Sequence, residues 1–138
     1  MTPDEMAALH QRASAGNRAW SADEYTQLSA ANHALLLTAD HGFVLGQLIG
    51  DEAEIFMIIV DPAHQRRGLG LAYLAQFEAR ARSDGGASCF LEVAASNLAA
   101  QALYNKAGYK QVGKRKNYYK SPQTPPEDAV VLRKIMPL

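Results

Sequence analysis

Residues 55–74 read IFMIIVDPAHQRRGLGLAYL, and this stretch decides the fold. It begins with an apolar run, passes through a turn that contains two arginines and two glycines, and continues into a helical pattern. From Gly70, small, aromatic or aliphatic residues recur at positions i, i+3, i+4, i+7 and i+11, which is the spacing of one helix face. A strand, a glycine-containing turn and a helix in this order predict an α/β unit.

The turn itself predicts a binding site for an anion. The first N–H groups of a helix have no partner within the helix, and the helix dipole adds positive charge at the same end. Gly68 and Gly70 allow the backbone to approach a phosphate closely, and Arg66 and Arg67 supply positive charge. A Walker loop is excluded because no Gly-Lys-Ser/Thr follows, and the dinucleotide fingerprint fails because Tyr73 occupies the position of its third glycine. A turn without a ligand remains the alternative.

Length and composition predict one soluble domain spanning residues 1–138, with 48% hydrophobic and 20% charged residues. The longest apolar run, Ile55–Val60, is far shorter than the roughly 20 residues that cross a bilayer, so we expect no membrane association. The N-terminus has the pattern of neither a secretory nor a transit peptide. A single cysteine, Cys89, excludes an intramolecular disulfide and favours a cytoplasmic location.

The charges are distributed unevenly along the chain. Residues 1–100 contain 6 Lys and Arg against 12 Asp and Glu, whereas residues 101–138 contain 8 against 2. A basic segment of this kind can bind nucleic acid. The run lacks the density of a nucleic-acid-binding tail, so we interpret it as a solvated face beside an anionic cofactor or an acidic partner, and expect no direct nucleic-acid binding.

The remaining patterns predict the element order αα–βββ–α–β–α–ββ, and hence an α/β fold with a mixed central sheet flanked by helices. Ser21 and Glu24 form a capping-box pattern for the second helix, and Asn97 is a good N-cap for the fourth. Residues 53–61 are almost continuously apolar, which predicts a strand buried on both faces. Residues 121–127 contain three prolines and predict a loop outside the sheet, before a last strand from residue 128.

The segment VDPAHQRRGLGLAYL resembles the acetyl-coenzyme A motif of the GNAT N-acetyltransferases, Q/R-x-x-G-x-G/A, which Gln65, Gly68 and Gly70 match. The resemblance implies the GNAT fold and acetyl-CoA as co-substrate, with its pyrophosphate on the turn and its pantetheine arm beside the preceding strand. It also implies that backbone N–H groups of that strand stabilise the oxyanion, which requires a bulge or a splay in the sheet. The cofactor-binding residues implied are Ile58, Ile59, Val60, Gln65, Arg66, Arg67, Gly68, Leu69, Gly70, Leu71 and Asn97.

Further segments are similar to the RimI-type subfamily, the ribosomal-protein-alanine N-acetyltransferases. They are AWSADEY at residues 19–25, FLEVAASNLAAQALYNKAGYKQVGKRKNYY at residues 90–119, and EDAVVL at residues 127–132. This resemblance implies acetyl transfer to the N-terminal alanine of a small-subunit ribosomal protein. Two alternatives stay open. One is a GNAT enzyme that acetylates a small amine such as an amino acid or polyamine, and the other is a non-enzymatic module that binds coenzyme A or uses its basic end to dock on nucleic acid.

Glu92 and Tyr104 are the candidate catalytic residues. Burying a carboxylate on an otherwise apolar strand costs free energy, which suggests that Glu92 has a bonding partner or a catalytic role. Strand alternation equally permits a surface position for Glu92. A helical tyrosine alone indicates packing, but a phenol with a pKa of about 10 stays protonated at pH 7 and can donate to a thiolate. The resemblance implies that Glu92 is the general base and Tyr104 the general acid. The four histidines show no ligand spacing, so we expect no metal.

Two departures from the subfamily bear on the substrate and the fold. Ala94 stands where the subfamily commonly has an arginine after Leu-Glu-Val, so any contact made by that arginine is absent. The chain also enters its first helical pattern almost at once, so we expect the first strand of the fold to be missing or short.

Overall fold

The structure is a computed structural model, and it describes residues 1–14 and 19–137. The helices are α1 (Pro3–Ala13), α2 (Ala22–Ala30), α3 (Leu69–Ser83) and α4 (Leu98–Lys106), with a short 3-10 turn at Pro62–His64. The strands are β1 (Ala34–Ala39), β2 (Gly42–Ile49), β3 (Glu52–Val60), β4 (Ser88–Ala94), β5 (Lys110–Ser121) and β6 (Thr124–Ile135). The element order predicted from the sequence is therefore confirmed.

The strands form one open, mixed sheet in the order β1-β2-β3-β4-β6-β5. β3 and β4 are parallel because α3 carries the chain back across the sheet between them, and every other neighbouring pair is antiparallel. Helices α3 and α4 cover one face, where Phe77 and Leu91 belong to the larger hydrophobic core. Helices α1 and α2 cover part of the other face, where Tyr25 and Phe43 belong to a second core.

Capping interactions fix where the helices begin. Ser21 accepts from the backbone N–H of Glu24, and the Glu24 carboxylate accepts from the backbone N–H of Ser21 in return, which confirms the predicted capping box. Asn97 Oδ1 accepts from the backbone N–H of Ala100 at 3.1 Å, so this residue is the N-cap of α4 as predicted. These bonds satisfy N–H groups that would otherwise lack a partner.

The strand β3 leaves its neighbour halfway along its length. Its pairing with β4 runs from Glu52 to Ile55, and a bulge in the pairing with β2 follows at the same level. The prediction of a strand buried on both faces is therefore wrong for the second half, where Phe56, Met57 and Ile58 are only partly buried. An apolar run indicates that a strand is shielded from water, but it does not indicate which neighbouring element covers each face.

The predicted loop at residues 121–127 is also wrong in its second half, because β6 begins at Thr124. β6 pairs with β4 only from Ala129 onwards, so Pro125 and Pro126 lie in a part of the strand that extends past β4. The ladder to β5 is irregular there as well. A strand tolerates prolines where ladder hydrogen bonds are already missing.

Candidate active site

The separation of β3 from β4 opens a cleft of about 1210 Å³. Its walls come from the second half of β3, the glycine-containing turn, α4, the β5–β6 hairpin and the end of α1. All the candidate residues predicted from the sequence line this cleft except Arg67. Those that line it are Ile58, Ile59, Val60, Gln65, Arg66, Gly68, Leu69, Gly70, Leu71, Glu92, Asn97 and Tyr104.

The turn before α3 is built by backbone conformation. Gly68 is the N-cap of α3 and has φ +74, and among the described residues a Cβ added there would meet no atom within 4 Å. Arg66 also has a positive φ, of 67, which is uncommon for a residue other than glycine and is typical of functional turns. At Gly70 the reason for glycine is packing, because an added Cβ would lie 3.3 Å from the side chain of Leu103 on α4.

Two side chains of the turn bond to neighbouring groups of the protein. Gln65 Nε2 donates to the carbonyl of Val60 at 3.2 Å, which fastens the turn to the end of β3. Arg67 Nη1 lies 3.2 Å from Nδ1 of His64, whose ring stacks on that of His41 with a centroid separation of 3.6 Å. Arg67 is thus directed away from the cleft, and Arg66 is the arginine of this turn that lines it.

The candidate base and acid approach the cleft from opposite faces of the sheet. Leu91 and Val93 belong to the same core as Tyr104, on the α3–α4 face. Because side chains alternate along a strand, Glu92 points to the other face. Tyr104 is only 6% exposed, and this burial raises the pKa of its phenol above the ordinary value. The hydroxyl therefore keeps its proton until a strong base is present.

Glu92 interacts with three residues of β5. Its side chain is 11% exposed, and its Oε1 is 2.8 Å from Nε of Arg115. Interaction with the Glu92 carboxylate, ahead of burial, raises the pKa of the Tyr118 hydroxyl above its ordinary value. At Tyr119, burial and then the charge of Glu92 raise the pKa to about 12. Sequence reasoning missed these three β5 residues, because each is ordinary for an exposed strand.

The same face carries aromatic residues of α1 and of the segment that leads into α2. His10 and Trp20 line the cleft there. Nδ1 of His10 accepts from the backbone N–H of Trp20 at 3.1 Å and from the Tyr25 hydroxyl at 2.8 Å. These bonds fix the imidazole ring and the chain that enters α2, so this wall of the cleft is held by buried polar contacts.

Residues 1–14 and 19–137 contain no group of three or more His, Cys, Asp or Glu side chains that could hold a metal ion. In the same part of the chain, no helix has both the length and the apolar composition needed to cross a membrane.

Comparisons with known proteins agree on one family. The profile of the acetyltransferase (GNAT) family matches residues 6–109. The chain is 35% identical over 135 residues to the ribosomal protein bS18-alanine N-acetyltransferase of Escherichia coli K12, covering 95% of this chain and 90% of that protein. The enzyme of the same name from Salmonella typhimurium is 43% identical over 101 residues, covering 71% of this chain and 68% of that one.

Solved structures give the same result. The crystal structure of the ribosomal-protein-S18-alanine N-acetyltransferase from Escherichia coli matches with a TM-score of 0.82 at 34% identity, covering 96% of this chain and 86% of that one. Ard1 from Thermoplasma volcanium also matches with a TM-score of 0.82, over 100% of this chain and 95% of that one. Its identity is only 22%, so this second match concerns the fold alone.

Proposed function

The chain belongs to the GNAT family and is an acetyl-CoA-dependent N-acetyltransferase, and we propose that its acceptor is the N-terminal α-amino group of a protein, the alanine of ribosomal protein bS18. The observation that carries this proposal is the identity of 35% across 95% of the chain with an enzyme named for that reaction. The reaction takes place in the cytoplasm, where ribosomal proteins are made.

The α3–α4 side of the cleft has the chemistry that a coenzyme A thioester needs. The open space beside Gly68 lies at the N-terminus of α3, where backbone N–H groups and the helix dipole attract a diphosphate. The second half of β3, which has left β4, presents an unpaired edge that can bond an extended pantetheine arm as an added strand. Its N–H groups, around Ile58, Ile59 and Val60, stabilise the charge that develops on the thioester oxygen. Asn97 caps α4 through Oδ1, which leaves its amide NH₂ to donate to the arm.

The opposite side of the cleft receives the amine. An α-amino group has an ordinary pKa of about 7.7–8.0 and is mostly protonated at neutral pH, so it must lose a proton before it attacks. Glu92 accepts that proton from the face on which α1 and α2 lie. The amine nitrogen then bonds to the acetyl carbon, the carbon–sulfur bond breaks, and Tyr104 donates its proton to the departing thiolate.

A panel of acceptors tests the proposal. Initial rates with acetyl-CoA are measured for a peptide with the N-terminal sequence of bS18, the same peptide with a formylated N-terminus, free alanine and spermidine. We expect turnover of the free peptide and none of the formylated one, because the latter retains every lysine but lacks the α-amine. Faster turnover of free alanine or spermidine would indicate that the acceptor is a small amine and not a protein N-terminus. Tight acetyl-CoA binding without turnover of any amine would support the alternative that the protein is a module that binds coenzyme A without catalysis.

A further inference from the structure

The carboxylate of Glu92 is held by contacts that the proposed reaction does not explain. One of its oxygens forms an ion pair with Arg115 Nε at 2.8 Å. The same guanidinium lies 5.5 Å from the centroid of the Tyr118 ring, and the interaction of Tyr118 with Glu92 raises the pKa of that phenol. The three side chains therefore lie together at the acceptor side of the cleft.

The cluster exists because β5 is irregular. Between Arg115 and Tyr119 the strand advances four residues while its partner β6 advances two, from Ala129 to Glu127. Asn117 absorbs the extra length with φ +52, and its backbone N–H donates to Oδ1 of Asp128 at 2.9 Å. A bulge of this kind re-aims neighbouring side chains and is frequent beside active sites.

Stability does not account for the Arg115–Glu92 pair. The Arg115 side chain is 57% exposed, and ion pairs open to solvent contribute little to folding. Orientation does account for it, because a glutamate side chain has three rotatable bonds and a general base acts only within hydrogen-bond reach of its proton. A carboxylate has about four acceptor positions, so the ion pair with Arg115 leaves capacity for the amine.

We infer that Arg115 is a positioning residue, which holds the Glu92 carboxylate towards the gap between β3 and β4 so that it reaches the acceptor amine. This inference rests on the proposed role of Glu92 as base. It also identifies the cation beside Glu92. β4 carries no cation at Ala94, which lies three residues beyond Leu91, the last residue of β4 that pairs with β3. β5 supplies a cation at the same level, because Arg115 and Ala94 both pair with Ala129 of β6.

The test compares Arg115→Met with a matched control, Lys114→Met. Lys114 is the adjacent residue on β5, its side chain is 55% exposed, and its ion pair with Asp128 at 3.9 Å does not involve Glu92. With the peptide acceptor at pH 7, we expect Arg115→Met to lower kcat about 10-fold to 100-fold, which is the cost of misplacing a catalytic group by about 1 Å. The KM for acetyl-CoA and the melting temperature should stay close to wild type, and Lys114→Met should leave all three values unchanged.

Two further measurements separate positioning from a structural role. The loss in Arg115→Met should shrink at pH 9.5, where the amine arrives deprotonated, whereas a folding defect would persist. Arg115→Lys should recover part of the activity, because an ammonium restores the charge without the planar donor geometry.

A double-variant cycle distinguishes failure of this inference from failure of the proposed function. In a Glu92→Gln background, Arg115→Met should cause no further loss, since the group that it positions is gone. If Glu92→Gln itself keeps wild-type activity, the base assignment fails. If Glu92→Gln is impaired but Arg115→Met behaves like Lys114→Met, or if its loss is equal at both pH values, the positioning role of Arg115 is overturned.

Discussion

Two glutamates of this protein have almost the same partners. Glu78, on α3, accepts a hydrogen bond from the Tyr109 hydroxyl at 2.9 Å and another from Lys134 Nζ at 2.7 Å. Glu92, on β4, likewise has a cationic partner, Arg115 Nε at 2.8 Å, and interacts with a tyrosine, Tyr118, whose pKa it raises. A list of contacts alone would assign the two carboxylates the same role.

Their surroundings differ. Glu78 is 8% exposed, and its partners close it in, since Tyr109 is 2% exposed and Lys134 crosses over the Tyr109 ring. This cluster joins α3 to β6 within the larger core, where each polar group has a partner. Glu92 faces the cleft, and its cation is mostly in solvent. The contrast shows that a cluster of glutamate, tyrosine and a cation stabilises the fold where the protein encloses it. Where the cluster faces a cleft, its carboxylate is accessible to a substrate.

Glu92→Gln should produce the largest effect on activity. We expect kcat/KM for the peptide to fall by roughly 10²–10⁴-fold near pH 7, with acetyl-CoA affinity retained, because the amide cannot accept the proton of the amine. The loss should shrink above the amine's pKa of about 7.7–8.0, where more of the substrate arrives neutral. Steady-state rates at pH 7 and 9.5 measure this. An equal loss at both values would indicate positioning in place of deprotonation.

Tyr104→Phe tests the acid on the opposite face. If Tyr104 protonates the leaving thiolate, kcat should fall by about 10²-fold or more while acetyl-CoA binding stays nearly intact. An acyl donor with a less basic thiol needs the proton less, so the variant should lose less with that donor. A folded variant within threefold of wild type would reduce Tyr104 to a packing role. A large loss that is identical for both donors would point to orientation of the cofactor.

Local patterns in the sequence were sufficient for the order of the elements and for the turn that precedes α3. Ser21 with Glu24, and Asn97, cap their helices through neighbours in the chain, and such signals are visible in the sequence. The contact between Arg115 and Glu92 was not predictable in this way. It depends on the pairing of β5 with β6 and on the left-handed conformation of Asn117, neither of which local propensity specifies.

Glu78→Gln should separate the two clusters by affecting stability alone. The variant leaves Lys134 without its anion in a site where that side chain is 22% exposed, so we expect the free energy of unfolding to fall by about 2 kcal/mol. The kcat of the remaining folded protein should stay close to wild type. Urea unfolding and initial rates at a temperature well below the melting transition measure the two quantities. A large fall in kcat with unchanged stability would contradict a purely structural role for Glu78.

We expect the smallest effect at Gly68, in the turn that binds through backbone N–H groups, and Gly50 provides a control. Gly68 has φ +74 and Gly50, in the turn between β2 and β3, has φ +62, and at both positions an added Cβ would meet no described atom within 4 Å. Replacement by alanine forces a left-handed conformation in each case, so both variants should lose about 1–2 kcal/mol of stability. Only Gly68→Ala places a methyl group where the diphosphate approaches the N-terminus of α3, so it alone should weaken acetyl-CoA binding, by about 10-fold. Calorimetric titration of both variants measures this difference. Equal affinities for acetyl-CoA would contradict the proposal that the diphosphate binds at this turn.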